Sequence, residues 1–425
     1  SFIRLPDDNY EPLPYDPRSG VIGLRYEAGG YLDYATSIGD ALVRDFGRRH
    51  RLEKKDPSAA VSEAVEPIVY YLDRGVPEPV RSALLDGARW WAEAFEAAGY
   101  RDAYRVEMMP EGADPMDVRY NVIQWVHRST RGWSYGNAIS DPRTGEIIKG
   151  HVSLGSLRVR QDRLLFEGLL GASKTGSGSY DDPVQLALAR IRQLSAHEVG
   201  HTLGLAHNFA ASVADRASVM DYPAPRVRPN GRGGIDVSDA YGVGVGAWDE
   251  HAIQMLYARV PEGETVADFH ERLHRRSVDA GLTYLTDADA RPAGAAQPYA
   301  NLWDDGADPI RALDDALEVR AVALQRFGSA NLAQGRPLRQ GQCVVHMGMR
   351  RGPEELVWAG IGGEDTLKVN RQAQGRLAAA GGAVQGNLAC WSVCGEGRIE
   401  FSGVDGAEAG IAVGAAGKMV TEGHA

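Results

Sequence analysis

An α+β fold, a mixed twisted sheet with two long helices, is what the sequence predicts, and three observations predict it. A β-branched and aromatic run, Pro67-Ile68-Val69-Tyr70-Tyr71-Leu72-Asp73, reads as a strand. Residues 79–98 repeat apolar side chains at steps of three and four, the mark of a helix with one buried face. Further extended runs then precede a second helical start at Asp182-Pro183, so strands and helices alternate in a way that suits a mixed sheet with a helix on one face.

In chain order, residues 4–19 carry Pro6, Pro12, Pro14 and Pro17, which fix φ and remove donors, so an extended path across a surface is expected there. The folded core is expected to begin near residue 60. On the first helix Val80, Leu84, Ala88, Trp91, Phe95 and Ala98 share a face, and Gly99 stops it. Extended segments are expected at 105–109, 118–126 and 147–154, the last two separated by the turn-forming Asp141-Pro142-Arg143-Thr144-Gly145. Residues 171–179 are Gly/Ser-rich and read as a loop; Asp182 then offers an N-cap, Pro183 the first helical position and Gln185 a capping amide. Helical patterns recur at 249–258 and 309–327, and no internal repeat is found. After Leu338 Gly and Ala accumulate and periodicity fades. The expected divisions are an extended Pro-rich lead-in at 1–59, a main domain at 60–260, a helical C-terminal subdomain at 261–338 and a Gly/Ala-rich tail at 339–425.

The chain has 425 residues and a formal net charge of -11, which argues against an electrostatic grip on nucleic acid or an anionic membrane. With 44% hydrophobic and 24% charged residues it has ordinary globular usage, and no stretch is apolar enough for a membrane span. The opening Ser1-Phe2-Ile3-Arg4-Leu5-Pro6 has neither a basic nor an apolar signal region, so an export signal would lie upstream. All three cysteines, Cys343, Cys390 and Cys394, fall in the tail; Cys390 and Cys394 read as ordinary thiols more readily than as half of a zinc site.

The chemistry is concentrated in His197-Glu198-Val199-Gly200-His201-Thr202-Leu203-Gly204-Leu205-Ala206-His207, which reads HExxHxxGxxH. Residues four apart share a helix face, so His197 and His201 can present nitrogens to one ion, with Glu198 beside them as a free base. Gly204 can take positive φ and turn the chain so that His207 becomes the third ligand. Three neutral nitrogens suit one catalytic Zn2+ with an open position for water, whose proton Glu198 takes. The blander reading is a helical cluster of histidines satisfied by hydrogen bonds. His151 could be mistaken for a ligand but is expected to be a polar edge residue, and Arg158, Arg160 and Arg163 to be a solvated basic face.

Thirteen residues after His207 comes Ser218-Val219-Met220-Asp221-Tyr222-Pro223, and here the sequence resembles the metzincin clan of zinc endopeptidases. The resemblance implies a structural Met-turn at Met220 beneath the metal, and Tyr222 in the place of a tyrosine that approaches zinc and stabilises the tetrahedral intermediate. Residues 56–157, with Tyr70-Tyr71-Leu72-Asp73-Arg74-Gly75 and Ile123-Gln124-Trp125-Val126-His127-Arg128-Ser129, resemble the Met-zincin domain of large bacterial zinc-dependent metalloproteases. That likeness runs to about residue 330 and includes Leu302-Trp303-Asp304-Asp305-Gly306.

It implies a metzincin-like catalytic domain with the zinc cleft below an edge strand, for which residues 150–156 are the best candidate, and a peptide or protein substrate bound there by β-augmentation. It also implies export to the periplasm or cell exterior of a bacterium. The expected activity is zinc-dependent endopeptidase chemistry, with Glu198 assisting attack by zinc-bound water. The alternative is a non-catalytic or latent zinc-bearing scaffold that binds peptides or a partner.

Overall fold

The structure, a computed structural model, describes residues 3–24, 31–32, 37–39, 43–128, 134–292, 294–295, 297–333, 390–394, 398–402, 410–413 and 419–421. Its centre is a five-stranded sheet formed by β1 (Ile68–Leu72), β2 (Tyr104–Met108), β3 (Asn121–Val126), β4 (Tyr135–Ser140) and β5 (Ile147–Gly155). The spatial order is β4-β5-β3-β1-β2. Four strands run parallel, and β4 alone pairs antiparallel, on β5. The sheet is therefore mixed, as expected.

Two of the predicted strand roles change. The edges are β4 and β2, and residues 150–156 lie mostly on β5, whose two neighbours are β4 and β3. No residue of β4 is fully buried, and its larger side chains, Tyr135 and Ile139, point outward, so it carries no apolar core signal; its hairpin with β5 through the 141–146 turn makes it a strand. His151 accordingly sits on an inner strand, paired with Val122 and Asn137.

The helix expected over 79–98 is two, α1 (Val80–Arg89) and α2 (Trp91–Ala97), meeting at Trp90, whose amide bonds back three residues to the Gly87 carbonyl. The wholly buried Trp91 donates from its indole to the Ala196 carbonyl at 2.8 Å. Helix α3 (Leu157–Leu170) was not foreseen. The expected basic face is corrected there: Arg158 pairs with Asp162 at 3.0 Å and Arg163 with Glu167 at 3.2 Å, both acids buried and one turn away. Arg160 is exposed.

Helix α4 (Pro183–Leu203) begins as its sequence dictates, with Pro183 in the first turn and the Asp182 carboxylate accepting from the Val184 amide at 2.8 Å. Gly204 ends it at φ 106°. A Cβ there would stand 2.0 Å from the Arg48 carbonyl oxygen, so glycine is required on two counts. Helices α5 (Ala247–Tyr257), α6 (Val266–Asp279), α7 (Asp287–Ala290) and α8 (Pro309–Arg326) follow. Among the described residues no helix is long and apolar enough to cross a membrane.

Packing begins well before residue 60. Leu13 and Val21 belong to the main core, and Leu13–Pro14 and Gly23–Leu24 flank Phe46–Gly47 in a small antiparallel sheet. The Ile22 amide donates to Gly204 at 2.7 Å and the Ala206 amide to Gly20 at 2.9 Å, so the lead-in braces the turn that follows α4. Irregular spacing of its apolar residues hid this contact, which only the folded chain creates. Residues 390–421 contribute a four-stranded antiparallel sheet; the thiols of Cys343, Cys390 and Cys394 lie outside the described side chains.

Candidate metal centre

The last two turns of α4 place His197 and His201 on one face, and the left-handed turn at Gly204 brings His207 back to them. The Nε2 atom of His201 lies 3.2 Å from that of His197 and 3.2 Å from that of His207. The three ligand atoms lie within 4.8 Å of one another, and among the described residues no other group of three or more His, Cys, Asp or Glu converges this way.

These contacts cannot be hydrogen bonds between neutral rings. His197 Nδ1 faces the Val219 carbonyl at 2.7 Å, His201 Nδ1 the Leu205 carbonyl at 2.8 Å, and His207 Nδ1 the Asp287 carboxylate at 2.6 Å. Each of those oxygens can only accept, so each Nδ1 carries a proton and the Nε2 atoms are the ones turned toward one another. Burial, then the neighbouring His201 and His207, holds His197 well below the usual imidazole range. Burial, then His207, pushes His201 down to about 3. Both rings are neutral near pH 7. The lone pairs of the neutral His197 and His201 rings, turned toward each other and toward His207, suit a cation between them. Tetrahedral zinc with Zn–N of about 2.0 Å requires nitrogens about 3.3 Å apart, close to the spacing of His201 Nε2 from each of the other two.

Behind the ligands a buried carboxylate organises the following loop. Asp249, fully buried on α5, accepts from Ser218 Oγ at 2.5 Å, the Val219 amide at 2.8 Å and the Gly246 amide at 2.7 Å. Ser218 Oγ in turn accepts from the Met220 amide at 2.9 Å. The carbonyl that orients His197 and the backbone that carries Met220 are thus fixed by one side chain. Met220 is 1% exposed, and a Cβ on Gly200 would stand 2.3 Å from its Sδ, so the loop packs directly under the histidine helix.

The Tyr222 ring centroid lies 4.6 Å from that of His207 and 5.2 Å from that of His197. Trp303 stacks on its other side at 5.5 Å, and the Trp303 amide donates to the Tyr222 carbonyl at 2.7 Å. The structure therefore groups Tyr222 with the ligands. Glu198, adjacent to His197, is buried, and burial pushes its carboxyl up to about 8 against the opposing pull of Arg190 and the Gly136 amide. A dication at the histidines would draw it back down. Gly136 belongs to β4, and a Cβ there would stand 2.0 Å from the Glu198 carbonyl oxygen, so the edge strand passes directly over α4 at this residue. His151 is not part of the cluster.

Sequence reasoning missed Asp287, Asp249 and Gly136. Asp287 lies 80 residues beyond His207, and neither it nor Asp249 sits in a local metal-ligand pattern. Trp303 was visible only as part of a resemblance.

Residues 179–378 match the family model described as Met-zincin, a span that contains the three histidines, Glu198, Met220 and Tyr222. No curated protein matches the chain.

Proposed function

We propose, from the match of residues 179–378 to the Met-zincin family model, that this chain is a zinc-dependent endopeptidase. The observation that carries the proposal is the convergence of three imidazole Nε2 atoms beside a buried glutamate. His197, His201 and His207 would hold one zinc ion. When bound, that ion supplies a Lewis acid that polarises the scissile carbonyl and acidifies water.

The remaining work falls to the chain itself. Glu198 takes a proton from the attacking water and returns it to the departing amide nitrogen, so it is needed once as base and once as acid. Tyr222, beside two of the histidines, donates its phenol proton toward the developing oxyanion. Met220 would serve as the hydrophobic base under the ligands. Strand β4 is the sheet edge that passes over α4, and an extended peptide would pair along 135–140. The likeness to large bacterial metalloproteases supports action in the periplasm or cell exterior.

The test is cleavage of an unbiased peptide library by the purified chain, with and without a chelator. Internal cleavage abolished by chelator and restored by zinc is expected. Stoichiometric zinc with no cleaved peptide would instead favour a zinc-bearing scaffold.

A further inference from the structure

Of the three imidazoles, His207 is the one placed by a turn rather than by α4, and its orientation comes from far along the chain. The Nδ1 partners of His197 and His201 are backbone carbonyls of nearby segments, whereas His207 donates to the Asp287 carboxylate on α7 at 2.6 Å. The same segment grips the residues beside it. Asn208 donates to the Thr283 carbonyl at 3.0 Å and accepts from the Leu285 amide at 3.2 Å, and the Phe209 amide donates to the Leu285 carbonyl at 2.7 Å. Arg291 ion-pairs with Asp287 and lies over the Phe209 ring at 5.9 Å, while Phe209 stacks on His207 with ring centroids 5.1 Å apart.

We infer that Asp287 is a positioning residue of the metal centre: it fixes the tautomer and ring plane of His207 and thereby makes metal affinity a property of the 283–291 segment as well as of the histidine motif. An anionic acceptor on Nδ1 locks the proton there and strengthens Nε2 as a donor to the ion. Arg291 holds the carboxylate in place through its side-chain pair. This inference rests on the reading that the three histidines bind zinc.

The test is zinc affinity by competition with a chromophoric chelator, together with the visible spectrum of the cobalt-loaded protein, for wild type, Asp287→Ala, Asp287→Asn and His207→Ala. Asp287→Ala is expected to weaken zinc about 10- to 100-fold and to alter the cobalt band. Asp287→Asn, which keeps an oxygen acceptor but loses the charge, is expected to fall between it and wild type while its metal-free melting temperature matches wild type; if the alanine variant does not fold, this one decides. Zinc affinity within twofold of wild type and an unchanged cobalt band in both variants would overturn the inference, as would lost metal-free stability with zinc affinity retained. If His207→Ala also left zinc affinity unchanged, the three-histidine reading itself would fail, which separates the two failures.

Discussion

Glu198 joins a deeply buried carboxyl to the base role proposed for it. Its carboxyl is pushed up to about 8, so in the metal-free protein the folded state holds the proton more tightly than the unfolded one. The stability this contributes is present below the ordinary range near 4.5 and is lost as pH rises through about 8. Replacing Glu198 by Gln should flatten that part of the stability profile, read as urea midpoints at pH 5 and pH 8 with chelator present; parallel profiles would remove burial as the cause. In the zinc-loaded protein the same variant should lose about 10²- to 10⁴-fold in peptide cleavage while keeping its metal. Asp249 makes a different kind of prediction. Asp249→Ala strands three buried donors on Ser218, Val219 and Gly246, and a loss of about 3 kcal/mol in unfolding free energy is expected, with zinc affinity falling as the Val219 carbonyl drifts from His197. A variant as stable as wild type would show that the loop holds itself.

Edge strand and histidine helix work as a pair at the scale of elements. Their closest approach is at Gly136, where any side chain would meet the Glu198 backbone. Gly136→Ala should therefore lift β4 from α4, costing about 1–3 kcal/mol and lowering cleavage more than zinc content; unchanged kinetics would show that β4 does not border the site. Elements whose signals are local were legible beforehand. α4 has its Asp182 cap, its Pro183 start and its Gly204 stop within the segment itself, and all three histidines lie in one eleven-residue motif. β4 was not legible because its side chains are exposed or half-buried, and the paired strand β5 is what defines it. Helix α3 was hidden because its arginines read as a solvated cluster until their buried acid partners were placed one turn away.

At the scale of the whole molecule, segments from both ends of the region described around the histidines converge on the turn after α4. The lead-in bonds Gly204 and Ala206 on one side, and the segment bearing Asp287 and Trp303 closes on His207 and Tyr222 from the other. Such contacts link residues remote in sequence, so composition and periodicity could not reveal them. Removing residues 1–24 exposes the packing partners of Leu13, Val21 and Leu24, and a fall of about 5 °C or more in melting temperature is expected, at about 1.5–3 kcal/mol for each buried side chain. The central claim, that His197, His201 and His207 form a working zinc centre, is tested most directly by elemental analysis of the purified chain beside its His201→Ala variant. The account predicts about one zinc per chain in the first and a small fraction of that in the second. Equal metal in both, or none in either, would contradict it.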